Sequence, residues 1–549
     1  MSRWIKTAGA LAAAVVLLLA ISRSGSPEAS VRAEIWLTTS DQKHLLELQP
    51  EAVFRAEPEG IEQAYSPAPG EGMMQGNGPE DGEIEGEGVQ ANRVQGERRQ
   101  DEGAPSEGLQ GISRPVRIEV KPERRYQTIQ GFGAAMTGSS AYLIGRKLSE
   151  PQREKLLQEL FTQEGIGLSY VRHTIGASDF SVDGNGQPAS YTYDDTLEGT
   201  QDFELKNFSV ERDMEVIGLL GRIVRLNPAV KVMGTPWTAP PWMKYGEAVH
   251  SGWYLDYTNE RVYEAYAEYF VRYIQAYEAA GVPVDAVTVQ NEPEFTSPDY
   301  PTMSMGAQEQ TKFIGDYLGP AFERNGIGTK IIAFDHNWDI GERYAQTVLS
   351  DPGAARYTDG TAYHCYAGEP EAMGRVHAAF PDKSIYFTEC SGGNWSGEFG
   401  GSFAWMMSKL IIGATRNGAE TVLMWNLALD PEGGPANGGC TDCRGVVTLD
   451  PANGKIVRNP EYYALGHASK FVQPGAVRIG SYSPEGTSPK GTLPEGSVVH
   501  TAFRNPDGSI VLICANTGDE PETVEVVWDG RSFAYPLSAG SAATFQWEP

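Results

Sequence analysis

Between Gln130 and Leu429, short apolar or β-branched runs alternate with amphipathic stretches eight times, and this alternation constrains the fold more than any other feature of the chain. The runs are IQGFGAAMT, LSYVRHTIG, VKVMGTPWT, DAVTVQNEP, TKIIAFDHN, GTAYHCY, SIYFTEC and ETVLMWNLAL. Intervening segments such as SEPQREKLLQELF, FSVERDMEVIGLLGRIVRL and NERVYEAYAEYFVRYIQAYEAAG place apolar residues three and four apart, the period of a helix with one buried face. Eight strand–helix units in succession predict an α/β fold, with parallel βαβ units closing into a (β/α)8 TIM barrel.

The flanks differ in character. After Phe471 the helical pattern stops, and SVVHTAFR, SIVLICAN, TVEVVWD and AATFQW read as short antiparallel strands separated by Gly, Pro and Asn-Pro-Asp-Gly. PVRIEVKP near Pro115 and AEIWLTT near Trp36 are their expected partners, giving a β-sandwich built from both chain ends. The predicted organisation is a signal peptide or N-terminal anchor over 1–25 and a strand segment of the β domain over 26–56. An insertion follows over 57–112, a further β-domain strand over 113–129, the barrel over 130–471 and the C-terminal sandwich over 472–549. The insertion carries thirteen acidic side chains, three arginines and almost no large apolar residue. Such a segment buries too little surface to offset its ordering entropy, so it is predicted to be disordered.

Charge and composition exclude some functions. A net charge of −28 without any basic run argues against nucleic acid as a partner, since a polyanion must be met by clustered Lys and Arg. Arg3 and Lys6 precede the apolar run Ala8–Ile21, which is short for a membrane span and suits the core of an export signal. The expected location is therefore secreted or extracytoplasmic, with N-terminal membrane anchoring as the alternative. The oligomeric state stays open.

The polar residues that end the strand-like runs carry the chemistry. The fourth run ends in Gln290-Asn291-Glu292-Pro293 and the seventh in Thr388-Glu389-Cys390. Catalysis in such barrels sits where strands end and the following loops begin. Two carboxyl groups there suit glycosidic bond cleavage: a separation of about 5–5.5 Å makes the mechanism retaining and a wider gap makes it inverting. No metal or organic cofactor is expected. The glycines of QGFG do not open a helix in a dinucleotide fingerprint. Asp194-Asp195 reads as a solvated turn rather than a calcium site. Cys440-Thr-Asp-Cys443 lacks a second ligand pair and reads as a local disulfide at the rim of the site. Cys390 reads as a packed thiol.

The motifs QGFGAAMTGSSAYLI, EGIGLSYVRHTIGASDFS, YTYDD, GTPWTAPPWMK, AVTVQNEPE, YHCY, YFTECSGG, MWNLALDPEGGP and YYALGHASKFV resemble those of glycoside hydrolase family 30, the glucosylceramidase-like enzymes. The resemblance covers nearly all of residues 126–472, and EIWLTT and the terminal β domain are similar to bacterial members. It implies a retaining β-glycosidase acting on a carbohydrate or glycolipid, with Glu292 as general acid/base and Glu389 as nucleophile. It further implies that Asn291 binds the sugar 2-hydroxyl and that Asp179, Trp237 and Trp425 hold the sugar ring. Arg172, His364 and Tyr366 would orient or support Glu389, and Tyr300 would contribute from the loop after the fourth strand. Electrostatic reasoning adds that an ionised Glu389 should raise the pKa of Glu292.

Two positions depart from the pattern: Gly138 replaces an acidic residue after Ala-Met-Thr, and Cys365 stands where glucosylceramidases carry Trp. The HCY form is closer to members that cleave β-1,6-glucan. A β-xylosidase or xylanase of the same family, and a cell-surface carbohydrate-binding protein without catalysis, are the alternative readings.

Overall fold

A computed structural model describes residues 30–57, 114–483 and 498–549. The export-signal segment and nearly all of the acidic insertion lie outside the described residues. Among those described, no helix is long and apolar enough to cross a membrane.

All eight strand-like runs become strands of one closed barrel: Gly131–Met136, Tyr170–Ile175, Lys231–Pro236, Ala286–Thr288, Lys330–Asn337, Thr358–His364, Ser384–Glu389 and Ala419–Asn426. Each pairs in parallel with its chain neighbours, and the eighth closes on the first. The first strand meets the second where Gly133 lies against the Tyr170 carbonyl; a Cβ there would come within 1.7 Å of that oxygen. The glycines of QGFG thus serve close strand packing.

Alternation along the strands organises the interior in layers. Tyr170, Met233, Ala286, Ile332, Ala362, Tyr386 and Leu423, one from each of strands two to eight, form a buried apolar plug. Two residues further along, Arg172, Thr235, Thr288, His364, Thr388 and Trp425 stand above it, every one buried. The fifth strand departs from this parity. Phe334 and Asp335 adopt φ of 73° and 76°, and Asp335, three residues after Ile332, supplies that strand's polar side chain. Left-handed backbone at two consecutive bulky residues is costly and persists where the surroundings hold it.

Both chain ends build a ten-stranded sheet beside the barrel, in the order 47–53, 32–38, 542–547, 510–516, 498–504, 477–482, 116–128, 522–528, 531–537, 55–56. Its core includes Ile35, Ile118, Ile479, Leu512, Phe545 and Trp547. Most pairs are antiparallel, but Glu522–Trp528 runs parallel to Val116–Thr128, which the reading of an antiparallel domain did not anticipate. The segments on either side of the acidic stretch, Arg55–Ala56 and Val116–Thr128, both belong to this sheet. Helix Pro460–Ser469 joins the two domains. Its buried His467 makes ring-nitrogen hydrogen bonds of 2.9 Å with Thr38 and with Thr544, one residue from each chain end.

Candidate active site

The polar layer opens into a cleft of about 360 Å³ at the C-terminal mouth of the barrel, and Glu292 and Glu389 both line it. Glu389 ends the seventh strand. Its Oε2 accepts from Arg172 Nη1 at 2.5 Å, and its Oε1 accepts from the Tyr366 hydroxyl at 2.8 Å. Both carboxylate oxygens are thereby held in place, and Glu389 is only 5% exposed.

Glu292 follows the fourth strand in left-handed backbone, φ 44°, with its N–H on the Asp335 carbonyl at 2.9 Å. Its Oε1 lies 3.1 Å from His364 Nδ1 and 3.8 Å from His336 Nδ1. The other face of the His364 ring meets Asp335 Oδ1 at 3.1 Å and comes within 4.0 Å of Glu389 Oε2. One imidazole therefore touches the environment of both carboxyl groups.

Asp335, which the sequence reading did not single out, is the hub. Its Oδ2 accepts from Arg172 Nη2 at 2.9 Å and Thr288 at 2.7 Å, and its Oδ1 accepts from Thr388 at 2.6 Å. Burial opposes ionisation of Asp335, but the Arg172 charge and the His364 hydrogen bond hold its carboxyl far below the usual range. The signal for it was present in TKIIAFDHN, an acidic residue at a strand end, but its inward direction depends on the bulge at Phe334.

The expected rise in the Glu292 pKa is not found. Burial does push it up, but the hydrogen bond and charge of His364, together with His336, outweigh that and hold it below its ordinary value. Burial likewise lowers His364, yet Glu389, Asp335 and Glu292 raise it to about 9. In the free protein the proton of this pair rests on the imidazole. Asp179 moves the opposite way: burial and the charges of Glu389 and Glu292 raise it well above the carboxylate range, and its buried Oδ1 has no protein partner.

The remaining expected residues are gathered at the same mouth. Asn291 accepts from Arg172 Nη2 on Oδ1 at 2.8 Å, leaving its amide nitrogen to the cleft it lines. Trp237 and Trp425 stack at 5.0 Å and flank the Arg172 guanidinium at 5.0 and 5.3 Å. Each is 3% exposed, and both line the cleft, so the two rings and the cation pack as one cluster in its wall. Tyr300 stacks with Phe295 at 6.4 Å on the loop after strand four. Phe295 and Trp395, 40% and 55% exposed, supply open aromatic faces and were missed. Phe295 lies in a loop and Trp395 in the three-residue 3-10 helix Asn394–Ser396, both too short for periodicity to signal direction.

Two local readings are corrected. Cys390 is not a free thiol: it is disulfide-bonded to Cys365. His364 and Glu389 are paired across adjacent strands, so the residues that follow them come together, a relation invisible across 25 positions of sequence. Asp194 is not solvated but buried, accepting from Trp242 Nε1 at 2.9 Å. Gly138 starts a short helix, and a Cβ there would meet Ser181 Cα at 3.2 Å. Cys440 and Cys443 are joined by a disulfide on the cleft wall. Among the described residues, Glu292, His336 and His364 form the cluster able to hold a metal, with ligand atoms within 4.8 Å of one another.

A (β/α)8 barrel with two carboxyl groups at the ends of its fourth and seventh strands, held in one cleft, defines a glycoside hydrolase. Residues 129–472 match the glycosyl hydrolase family 30 TIM-barrel domain and residues 475–545 the family 30 beta sandwich domain. The chain belongs to glycosyl hydrolase family 30, whose members are retaining β-glycosidases. It is 36% identical over 440 residues to an endo-1,6-beta-D-glucanase of Aspergillus fumigatus, covering 76% of this chain and 85% of that one. It is 30% identical over 447 residues to the lysosomal acid glucosylceramidase of Mus musculus, covering 78% and 83%. A solved endo-beta1,6-glucanase superposes with a TM-score of 0.74 at 29% identity, over 94% of this chain and all of that one.

Proposed function

We propose that the protein is an endo-acting β-1,6-glucanase, with Glu389 as nucleophile and Glu292 as general acid/base. The observation that carries the roles is the unequal treatment of the two carboxyl groups. Both oxygens of Glu389 are fixed by Arg172 and Tyr366, which suits a group that must stay ionised and aimed at the anomeric carbon. Glu292 instead shares a proton with His364, which suits a group that gives and takes one. The substrate is supported by the relatives named endo-1,6-beta-D-glucanase, by the HCY form of the sixth strand and by the open aromatic faces of Phe295 and Trp395.

In the first step Glu389 Oε attacks the anomeric carbon as the glycosidic bond breaks. The leaving oxygen takes a proton from Glu292, which draws on the His364 Nδ1 hydrogen bond. In the second step ionised Glu292 removes a proton from water, which displaces Glu389 and gives a product with retained configuration. Asn291 Nδ2 donates to the sugar 2-hydroxyl, and neutral Asp179 hydrogen-bonds an outer hydroxyl. Trp237, Trp425 and Tyr300 form the wall of the sugar pocket. We also propose action outside the cytoplasm. The apolar run at 8–21 and two disulfides, which persist in oxidising compartments, support it.

The test is product analysis on β-1,6-glucan, glucosylceramide and xylan, with Glu292→Gln and Glu389→Gln as controls. Early release of mixed oligosaccharides from β-1,6-glucan alone is expected. Glucose as the sole product would refute endo action, and turnover surviving in both variants would refute the assigned roles.

A further inference from the structure

We propose that Glu292, His336 and His364 form a binding site for a divalent transition-metal ion of the zinc class, and that its occupation reversibly inhibits the enzyme. Zinc bonds of about 2.0–2.2 Å in tetrahedral geometry place neighbouring ligand atoms roughly 3.3 Å apart. Glu292 Oε1 already lies 3.1 Å from His364 Nδ1 and 3.8 Å from His336 Nδ1, and all three atoms fall within 4.8 Å. The gap that remains is between the two imidazoles, and His336 is the ring able to close it. Its Nδ1 is buried, directed at this cluster and without a hydrogen-bond partner. His364 is oriented as metal-binding histidines are, with its second nitrogen on a carboxylate, Asp335, at 3.1 Å.

Two imidazoles and one carboxylate suit zinc, copper or nickel and disfavour magnesium and calcium, which prefer oxygen ligands. Glu292 and His336 line the cleft, so a fourth position faces it and water completes the shell. The ion replaces the proton that Glu292 and His364 share, and that proton is released to solvent; no oxidation or reduction occurs. Inhibition, unlike binding, rests on Glu292 being the acid/base, because a metal-bound carboxylate has no proton to give the leaving oxygen. Attack on a thiol is not a competing route among the described residues: the free cysteine, Cys514, is buried.

Cobalt(II) serves as the probe on the full chain. Titration should produce the visible absorption of a four-coordinate centre, zinc should displace it, and zinc over the same range should lower kcat/KM until a chelator restores it. Magnesium should do neither. In His336→Ala the cobalt spectrum should vanish and the zinc inhibition constant, relative to that variant's own uninhibited rate, should rise by more than the roughly 10–100-fold that loss of an outer-shell partner costs. An unchanged spectrum and inhibition constant in His336→Ala would overturn the site, as would a wild-type enzyme indifferent to zinc. Anomalous diffraction from a zinc-soaked crystal gives an answer independent of the variant's folding: density between these three side chains supports the site, and an ion bound elsewhere refutes it. Glu292→Gln separates the two readings. Cobalt binding lost while turnover persists would sink the catalytic role and leave the metal site standing.

Discussion

Replacing Asp335 by asparagine keeps the shape of the barrel interior and removes one charge, and its consequence is an acid failure. The asparagine oxygen can still accept from Arg172 and Thr288, as Asp335 Oδ2 does. The amide nitrogen then stands where Oδ1 now accepts from Thr388 and from His364 Nε2. Thr388 can rotate and accept. His364 can accept only as the tautomer with its proton on Nδ1, and that N–H points at Glu292 Oε1, 3.1 Å away. A neutral imidazole in that tautomer stabilises ionised Glu292 and has no second proton to supply. General acid assistance contributes about 10²–10⁴ in rate, or about 3–5 kcal/mol at 1.36 kcal/mol per tenfold. The loss should therefore depend on the leaving group. On an unactivated alkyl β-glucoside kcat/KM should fall by about 10²–10⁴, whereas on dinitrophenyl β-glucoside, which departs without protonation, it should fall by less than about tenfold. The assay is the ratio of the two kcat/KM values in wild type and variant. Equal losses on both substrates would refute the tautomer argument and leave Asp335 a merely structural group.

The buried Asp213 carboxyl, which accepts from the hydroxyls of Tyr191, Tyr193 and Tyr277, is raised by burial to about 6. Because the folded state holds this proton more tightly than the unfolded chain, its stabilisation is complete below about pH 4 and lost as pH rises through about 6, amounting to about 3 kcal/mol. Urea unfolding of wild type and Asp213→Asn across that window should show their difference shrinking by this amount; parallel curves would count against it. Removing the Cys365–Cys390 bridge, which spans 25 residues, by a double alanine substitution should cost about 3–4 kcal/mol by the loop-entropy relation, read from the denaturant midpoint. Trp395→Ala should lower kcat/KM on β-1,6-glucan by up to about tenfold, the size of one aromatic contact. It should leave a dinitrophenyl β-glucoside nearly unaffected, and an equal loss on both would place Trp395 against the sugar being cleaved rather than the rest of the chain.

Strand identity was legible in the sequence because period and length are local properties: every one of the eight runs is a barrel strand. Glu292 and Glu389 were legible because each follows such a run directly, Asn291, Asp179 and Tyr366 came with the quoted motifs, and Tyr300 was named only from its place in the loop after the fourth strand. Direction was not. Alternation predicts that residues two after the apolar plug point inward, and Arg172, Thr288, His364 and Thr388 obey it. On the fifth strand two left-handed residues shift the count by one and swing Asp335 inward, onto the Arg172 and His364 that govern both carboxyl groups.

The protonation of Glu292 was likewise decided in three dimensions. Sequence offered only the neighbouring charge of Glu389, whereas the fold brings His364 and His336 to within 3.1 and 3.8 Å. The Cys365–Cys390 pairing follows from strand register rather than from either cysteine's surroundings in the chain. Local pattern, then, determined which elements form and which residues sit at their ends. Tertiary structure decided which of those residues meet, because Coulombic and hydrogen-bond energies depend on separations of a few ångströms that a bulge or a one-residue register shift resets.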